Sequence, residues 1–258
     1  MGKIGRKAVA AVLPAWKKKY KPDIIIANAE NLAHGKGVTP ETIQELINAG
    51  VHAFTSGNHI WDKPQVLDVL AQKKTLLLRP ANYPPGTPGE GWGIVTAGKH
   101  KLALINLQGR VFMHENIDDP FRKLDAVLEE IKKQTKGKVP VLVDFHAEAT
   151  SEKTAFGWYA DGRVAAVFGT HTQVRSGDAR LLLHGTAYQT DVGMSGARDG
   201  VIGVERDIII KKFLTQRPAL HEIPEKGWAQ VCATLVTVDV RTNLAKKVEP
   251  VYGEIDVK

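Results

Sequence analysis

Short apolar runs alternate along the chain with longer stretches in which apolar residues recur every three or four positions. A short continuous run is typical of a buried strand, and the wider spacing is typical of an amphipathic helix. The runs predict strands over residues 23–27, 51–54, 76–78, 139–143 and 164–168. The alternation of strands and helices predicts an α/β fold.

The amphipathic stretches predict helices, one of which carries clear end signals. Helices are expected over 3–20, 39–49, 118–135, 151–159 and 205–214, and another is expected to begin near residue 64. Thr39 can be the N-cap of the second helix, with Pro40 as its first residue and Gly50 as its C-cap. Pro14 is expected to bend the first helix or to mark a boundary in it.

The rest of the chain adds β structure without a dividing linker. A hairpin is expected over 93–97 and 101–105, and further strands over 181–183, 187–190, 232–240 and 248–252. No repeat or low-complexity tract divides the sequence, so residues 1–258 are expected to form a single domain of two packed sheets with helices outside. The Pro- and Gly-rich stretch 79–93 is longer than most connections, which favours a functional role for it.

The composition is that of a soluble globular protein, with 43% hydrophobic and 24% charged residues among 258. The net charge of +7 suggests an anionic ligand. The lysines are scattered and cluster at predicted helix ends, where cations complement the helix dipole. Nucleic-acid binding therefore rests on charge alone, and it is the weakest of the functions considered.

The sequence also indicates a compartment. It contains no apolar run of the roughly 18 residues that span a membrane, and no secretory signal. Cys232 is the only cysteine, so an intrachain disulfide is impossible, which fits a reducing cytosol. We expect a cytoplasmic protein without membrane association, and a homo-oligomer is compatible with the sequence.

Polar side chains follow four of the predicted strands at their carboxyl ends. These residues are Glu30, Asn58, His146 and His171, and His59 stands beside Asn58. Ligands of open α/β sheets bind outside the carboxyl ends of the strands. A carboxylate, an amide oxygen and two imidazoles suit a borderline divalent metal such as Mn, Fe or Zn. A single such residue is more often structural, but four equivalent positions favour a metal site.

The motifs around these residues resemble those of a known family. The segments 28–31 (Asn-Ala-Glu-Asn), 57–59 (Gly-Asn-His), 144–153 (Asp-Phe-His-Ala-Glu-Ala-Thr-Ser-Glu-Lys) and 169–172 (Gly-Thr-His-Thr) are similar to the calcineurin-like metallophosphoesterase superfamily. More narrowly, they resemble its bacterial YmdB-like branch of 2′,3′-cyclic-nucleotide phosphodiesterases. The similarity covers nearly the whole chain and implies a four-layer α-β-β-α sandwich.

The resemblance also implies a set of roles. Two divalent metals, Fe or Mn, would be bridged by Glu30, with Asn58, His146 and His171 completing the second site and Asn31 helping at the first. His59 would be the general acid, protonating the departing ribose oxygen after attack by a hydroxide held by the metals. The resemblance gives three substrate contacts: Arg79, Asn82 and Arg110.

The sequence departs from the family pattern at the first metal site. Gln173 stands where the family has a ligating His, and an amide oxygen is a weaker replacement for an imidazole. The family also opens with a strand ending in Gly-Asp, whose Asp binds the first metal, and this sequence begins after that point. Either Met1-Gly2 is the end of that motif and about ten further residues precede it, or the protein is a degenerate relative with one metal or none.

The expected function is a metal-dependent phosphodiesterase acting on 2′,3′-cyclic nucleotides or similar small phosphate esters. The alternative is a catalytically impaired protein that binds phosphoesters or regulates a partner on the same fold. Gln173 and the absent Asp favour the alternative, and the intact set of Glu30, Asn58, His146 and His171 favours the enzyme.

Overall fold

A computed structural model describes residues 2–72, 75–136 and 138–258. Met1, which one of the two explanations given above places at the end of the Gly-Asp motif, lies outside the described residues. The helices are α1 (Gly2–Tyr20), α2 (Pro40–Ala49), α3 (Val66–Leu70), α4 (Pro120–Thr135), α5 (Thr150–Ala160) and α6 (Arg206–Thr215). The first strands are β1 (Ile26–Asn28), β2 (Ala53–Thr55), β3 (Trp92–Ala97), β4 (His100–Gln108), β5 (Val141–Ala147) and β6 (Ala166–His171). They are followed by β7 (Arg180–Leu181), β8 (Ala187–Gln189), β9 (Gly196–Ala197), β10 (Gly227–Asp239) and β11 (Leu244–Val257).

The largest sheet has six strands in the order β3-β4-β5-β6-β8-β7. Its four central strands are parallel, and the edge strands β3 and β7 are antiparallel to their neighbours. Two smaller sheets complete the β structure: the parallel pair β1-β2 and the antiparallel set β11-β10-β9. Because β1 and β2 form one parallel ladder and β4, β5 and β6 another, the carboxyl ends of the strands within each ladder lie at one edge of the sheet.

Four layers follow from the side-chain packing. Helices α4 and α5 bury Leu124 and Phe156 against Val143 and Phe145 of the six-stranded sheet. The other face of that sheet packs on the two smaller sheets through two apolar clusters. One contains Ala53, Leu78 and Leu104, and the other contains Phe168, Ala187 and Ala245. Beyond the smaller sheets, α1 and α2 cover the outer face. The chain is thus an α-β-β-α sandwich, as the sequence predicts.

The predicted elements are found with shifted bounds, and of the two expectations for Pro14, a boundary or a bend, the boundary is wrong. Helix α1 runs through Pro14 without a boundary. Pro14 is exposed, whereas Ile4 and Leu13 are buried against different sheets, so packing holds the helix together on both sides of the proline.

The caps of α2 are confirmed: Thr39 accepts a hydrogen bond from the Thr42 amide, and Gly50 has the left-handed φ of 102°. The predicted strand 76–78 contributes only isolated bridges.

A cavity of about 1330 Å³ lies between the two smaller sheets. Residues 24–28, in and before β1, form one wall and residues 231–238 of β10 form another, with α1 and the six-stranded sheet also contributing. Its polar lining includes Glu30, Asn31 and His171. The cavity therefore connects the apolar interior with the carboxyl ends of the strands. None of the described helices has the length and hydropathy needed to cross a membrane.

Candidate metal centre

The alternation of side chains along β5 aims His146 away from the helices. Val143 and Phe145 face α5, whereas Leu142 packs in the cluster between the sheets. Successive side chains of a strand point to opposite faces, so Asp144 and His146 share the inner face with Leu142. Both are buried at the carboxyl end of the strand.

His146 lies at the centre of a cluster formed by three other strand ends. Its Nε2 atom is 3.0 Å from Asn58 Oδ1, 3.1 Å from Glu30 Oε1 and 3.1 Å from His171 Nδ1. Ligand atoms of Glu30, His146 and His171 all lie within 4.8 Å of one another. The structure therefore brings together the four residues that the sequence predicts.

A single proton on Nε2 of His146 cannot serve three surrounding acceptors. A cation can, because each of these atoms offers it a lone pair. Ligands about 2.0–2.2 Å from a metal lie roughly 3.0–3.4 Å from one another in octahedral or tetrahedral geometry, close to the separations around Nε2. The donor set and its spacing thus fit a divalent metal.

The Nδ1 atom of His146 is engaged by a buried network that fixes the ring. It lies 2.9 Å from Thr170 Oγ1, and that hydroxyl donates to Asp144 Oδ1 at 2.7 Å. Asp144 also accepts hydrogen bonds from the Thr55 hydroxyl and from Asn28 Nδ2. With its hydroxyl proton donated to Asp144, Thr170 accepts from Nδ1–H. Neutral His146 then keeps its Nε2 lone pair for the cluster, as a metal ligand requires.

The charges of the cluster are strongly coupled. Burial opposes ionisation of Glu30, but His146 and the backbone amide of His59 outweigh it and lower the pKa of Glu30 to about 2. Burial alone would lower the pKa of His146, but the Glu30 carboxylate raises it overall. Burial raises the pKa of Asp144. Without a cation, Glu30 and His146 therefore form a buried ion pair.

His171 is oriented by a second carboxylate. Its Nε2 lies 3.2 Å from Glu148 Oε2, which leaves Nδ1 to face His146. Burial lowers the pKa of His171, and the neighbouring His146 lowers it further. His171 has a left-handed φ of 100°, which is uncommon for a residue with a side chain. Its loop must therefore be held by other contacts.

Those contacts come from a buried ion pair that the sequence analysis does not assign. Lys153 Nζ lies 2.8 Å from Asp191 Oδ2, and both side chains are almost completely buried. Asp191 Oδ2 also accepts from the Thr172 amide and hydroxyl, at 3.1 and 2.8 Å. The pair pins the segment that follows His171, the last residue of β6, and this segment carries Gln173.

Gln173 lies in this pinned segment with a φ of 67°. Its buried Oε1 has no hydrogen-bond partner within the described part of the chain. On the other side of Glu30, Asn31 Nδ2 lies 3.5 Å from Glu30 Oε2. Gln173, Asn31 and Glu30 line the same cavity. Gln173 therefore brings to the lining of this cavity an amide oxygen that no other described group occupies.

His59 is connected to the cluster through its backbone. Its amide donates to Glu30 Oε1 at 3.1 Å, while its partly exposed ring lies 3.0 Å from Asp62 Oδ2 through Nδ1. The ring is outside the group of donors around His146. Asp62 is a partner that the sequence analysis does not assign, although it lies three positions after His59.

The three residues expected to contact substrate are engaged elsewhere. Asn82 is fully buried, and its amide exchanges hydrogen bonds with the Gln108 backbone and donates to the Asp118 carbonyl. The expectation for Asn82 is therefore corrected: it braces the backbone of two loops. Arg79 donates to carbonyls of its own loop, at Pro80, Thr87 and Pro88. Arg110 pairs with Asp119 at 2.9 Å and stays half exposed.

Comparison with known proteins gives one family. Residues 1–251 match the model of a family described as YmdB-like protein. A 2′,3′-cyclic-nucleotide 2′-phosphodiesterase of Bacillus subtilis (strain 168) is 47% identical over 249 residues, covering 96% of this chain and 92% of that protein. A hypothetical protein from Thermus thermophilus superposes with a TM-score of 0.89 at 41% identity, over 98% of this chain and 96% of its own. A novel phosphatase from Mycoplasma pneumoniae gives 0.88 at 36% identity, over 99% and 90%.

Proposed function

The chain belongs to the YmdB-like family and is a phosphoesterase, and from this premise we propose that it hydrolyses 2′,3′-cyclic nucleotides with the help of two divalent metals. The observation that carries the proposal is the convergence of Glu30, Asn58 and His171 on Nε2 of His146. The named activity of the Bacillus subtilis relative supports the choice of substrate.

The proposed metals are iron or manganese. Asn58, His146 and His171 would hold one cation, Asn31 and Gln173 would contribute to the other, and Glu30 would bridge them. Mixed oxygen and imidazole donors suit borderline divalent ions better than Mg²⁺ or Ca²⁺. When bound, such cations lower the pKa of a coordinated water and offset the charge of the phosphoryl oxygens.

The proposed reaction opens the cyclic phosphate on its 2′ side. A water oxygen loses a proton and forms a bond to phosphorus, the bond from phosphorus to the 2′ oxygen breaks and that oxygen gains a proton, and a 3′-phosphomonoester results. His59 would give its proton to the departing 2′ oxygen. Asp62, at 3.0 Å from Nδ1, would orient the ring.

The test begins with metal content. We expect about two metals per chain after expression with manganese or iron, with turnover of adenosine 2′,3′-cyclic phosphate that EDTA abolishes and added metal restores. Phosphorus NMR of the product identifies the bond that breaks. Metal-replete protein that binds the ester but never turns it over would instead favour the catalytically impaired protein, an alternative that Gln173 supports.

His59→Ala tests the assignment of the acid. We expect kcat to fall by about 10²–10⁴-fold, the usual contribution of a positioned acid. Metal content should change little, because the His59 ring lies outside the donors around His146. His184→Ala is a matched control, because His184 is an exposed histidine whose Nδ1 likewise lies 3.0 Å from an aspartate, Asp161. Loss of metal in parallel with loss of kcat would show that His59 is a ligand.

A further inference from the structure

The loop 109–114 leaves the sheet directly beside the candidate metal centre. It follows β4, whose last residue Gln108 is in register with His146 of β5. The Gly109 amide donates to the His146 carbonyl at 2.9 Å. The loop thus begins at the strand end that carries the central imidazole of the cluster.

A buried carboxylate pins this loop. Glu152, on the first turn of α5, accepts hydrogen bonds from the amides of Arg110, at 2.9 Å, and Val111, at 3.1 Å. Gln108 Nε2 donates to Glu115 Oε2 at 2.8 Å, which joins the two ends of the loop. A charged acceptor makes these amide bonds stronger than neutral ones. The tip of the loop is therefore held in place.

Phe112 lies at that tip, with an exposed side chain and an unfavourable backbone conformation. Its side chain is 82% exposed, and its φ is 62°. The left-handed conformation is a genuine outlier for a bulky residue, and strain of this kind persists only where the surroundings enforce it. Here the pinned amides of Arg110 and Val111 enforce it. The result is an aromatic ring presented to solvent by a fixed loop.

We propose that Phe112 is a stacking platform for the nucleobase of the substrate. Three residues span at most about 11 Å, so Phe112 lies within that backbone distance of Gly109, which contacts the His146 strand end. In a 2′,3′-cyclic nucleotide the base is attached to the sugar carbon next to the one that bears the 2′ oxygen. An aromatic side chain on a loop that begins beside the centre suits such a base, and every nucleobase has a face that stacks on it.

The inference rests on the proposed function, and it concerns the preference of the protein for cyclic phosphate esters that carry a nucleobase over those that lack one. Loss of one base–aromatic stack lowers affinity by about 5- to 150-fold. Phe112→Ala should therefore reduce the preference for adenosine 2′,3′-cyclic phosphate over ribose 2,3-cyclic phosphate by that factor. The second ester keeps the reacting phosphate and lacks the base, so it reports on everything except stacking.

The experiment measures kcat/KM for both esters, and the binding of both by calorimetry under conditions that prevent turnover. Phe112→Trp should keep the preference, and Phe112→Leu, which is apolar without a π face, should lose most of it. Phe213→Ala is the matched control, since Phe213 is also exposed, at 69%, but lies on α6. Melting temperatures and gel filtration check that the fold and the oligomeric state are unchanged.

An unchanged preference in Phe112→Ala would overturn the proposal, and so would an equal loss for both esters, which would indicate damage to the loop. Failure of the wild type to hydrolyse either ester would overturn the proposed function. The ratio of the two binding constants would then still decide whether Phe112 recognises the base.

Discussion

At the residue scale, Gly57 sets how closely the strand end after β2 can approach His146. A β-carbon at position 57 would collide with the imidazole ring of His146. The ring is fully buried and held by Thr170 at Nδ1, so it has little room to move. The glycine is therefore required by the position of the central imidazole, and the next residue, Asn58, is placed by the same approach.

Gly57→Ala should displace either His146 or Asn58 and weaken cation binding. We expect at least a roughly tenfold lower affinity for Mn²⁺, comparable to the loss of a supporting contact at a metal site. Titration followed by electron paramagnetic resonance measures this affinity directly. Gly177→Ala is the control, because a β-carbon there meets no atom within 4 Å. Unchanged Mn²⁺ affinity in Gly57→Ala would show that the centre tolerates the displacement.

At the scale of elements, the segment after β6 depends on a partner from α5. Lys153 and Asp191 form a buried ion pair, and Asp191 holds the amide and hydroxyl of Thr172. Buried pairs offset their desolvation only when hydrogen bonds satisfy the remaining lone pairs. Asp191 meets this condition, since its Oδ1 also accepts from the Gly193 amide at 2.9 Å.

Lys153→Met should leave Asp191 buried without its counter-charge. We expect a loss of about 3–5 kcal/mol in the free energy of unfolding, the usual cost of breaking a buried pair from one side. Denaturant titration of the metal-free protein measures it. Lys133→Met, at an exposed position of α4, serves as the control. A loss below about 1 kcal/mol would mean that the segment holds its shape without the pair.

The sequence predicted the strand ends because each combines a local apolar run with a polar residue that follows it. Glu30, Asn58, His146 and His171 are recognisable in this way without any knowledge of their neighbours. Strand β5 nevertheless continues through His146 to Ala147, past the predicted end at residue 143. Its polar residues stay in the ladder because Asp144 and His146 find hydrogen-bond partners on other strands.

Contacts between distant segments could not be predicted in the same way. Lys153 and Asp191 lie 38 positions apart. Lys153 lies inside a helix, and although Asp191 follows the predicted strand 187–190, nothing near it in sequence indicates its partner. The burial of Asn82 likewise depends on two loops that meet only in the folded chain. The position of Asp144 is easier to predict from the sequence, because Asp144 precedes His146 by two positions and must lie on the same face of the strand.

At the scale of the whole molecule, the Glu30–His146 pair links stability to pH when no cation is bound. The pKa of Glu30 is lowered to about 2 from an ordinary value of 4.5, so its contribution is present above about pH 4.5 and is lost as pH falls towards 2. The pKa of His146 is raised from 6.5, so its contribution is present below pH 6.5 and is lost as pH rises through the folded-state value. The two contributions overlap between about pH 4.5 and 6.5.

Metal-free wild type should therefore exceed metal-free Glu30→Gln in melting temperature by the largest margin between about pH 4.5 and 6.5. The margin should shrink towards about pH 2, as Glu30 is protonated, and again as pH rises above 6.5 through the folded-state pKa of His146. Differential scanning calorimetry in chelating buffer measures both proteins over this range. A margin that does not vary with pH would show that the two groups are not paired.

The wide separation of the proposed ligands in sequence has a consequence for the stability of the protein when the supply of metal changes. Asn58 and His146 are 88 positions apart, so the donors meet only after both layers of strands are in register. The proposed cations would therefore bind the folded chain and not the unfolded one. Each tenfold rise in free metal above its dissociation constant would add about 1.4 kcal/mol to the free energy of unfolding. Where metal is scarce, the same chain would be both inactive and more open to proteolysis, so its abundance would follow the metal supply.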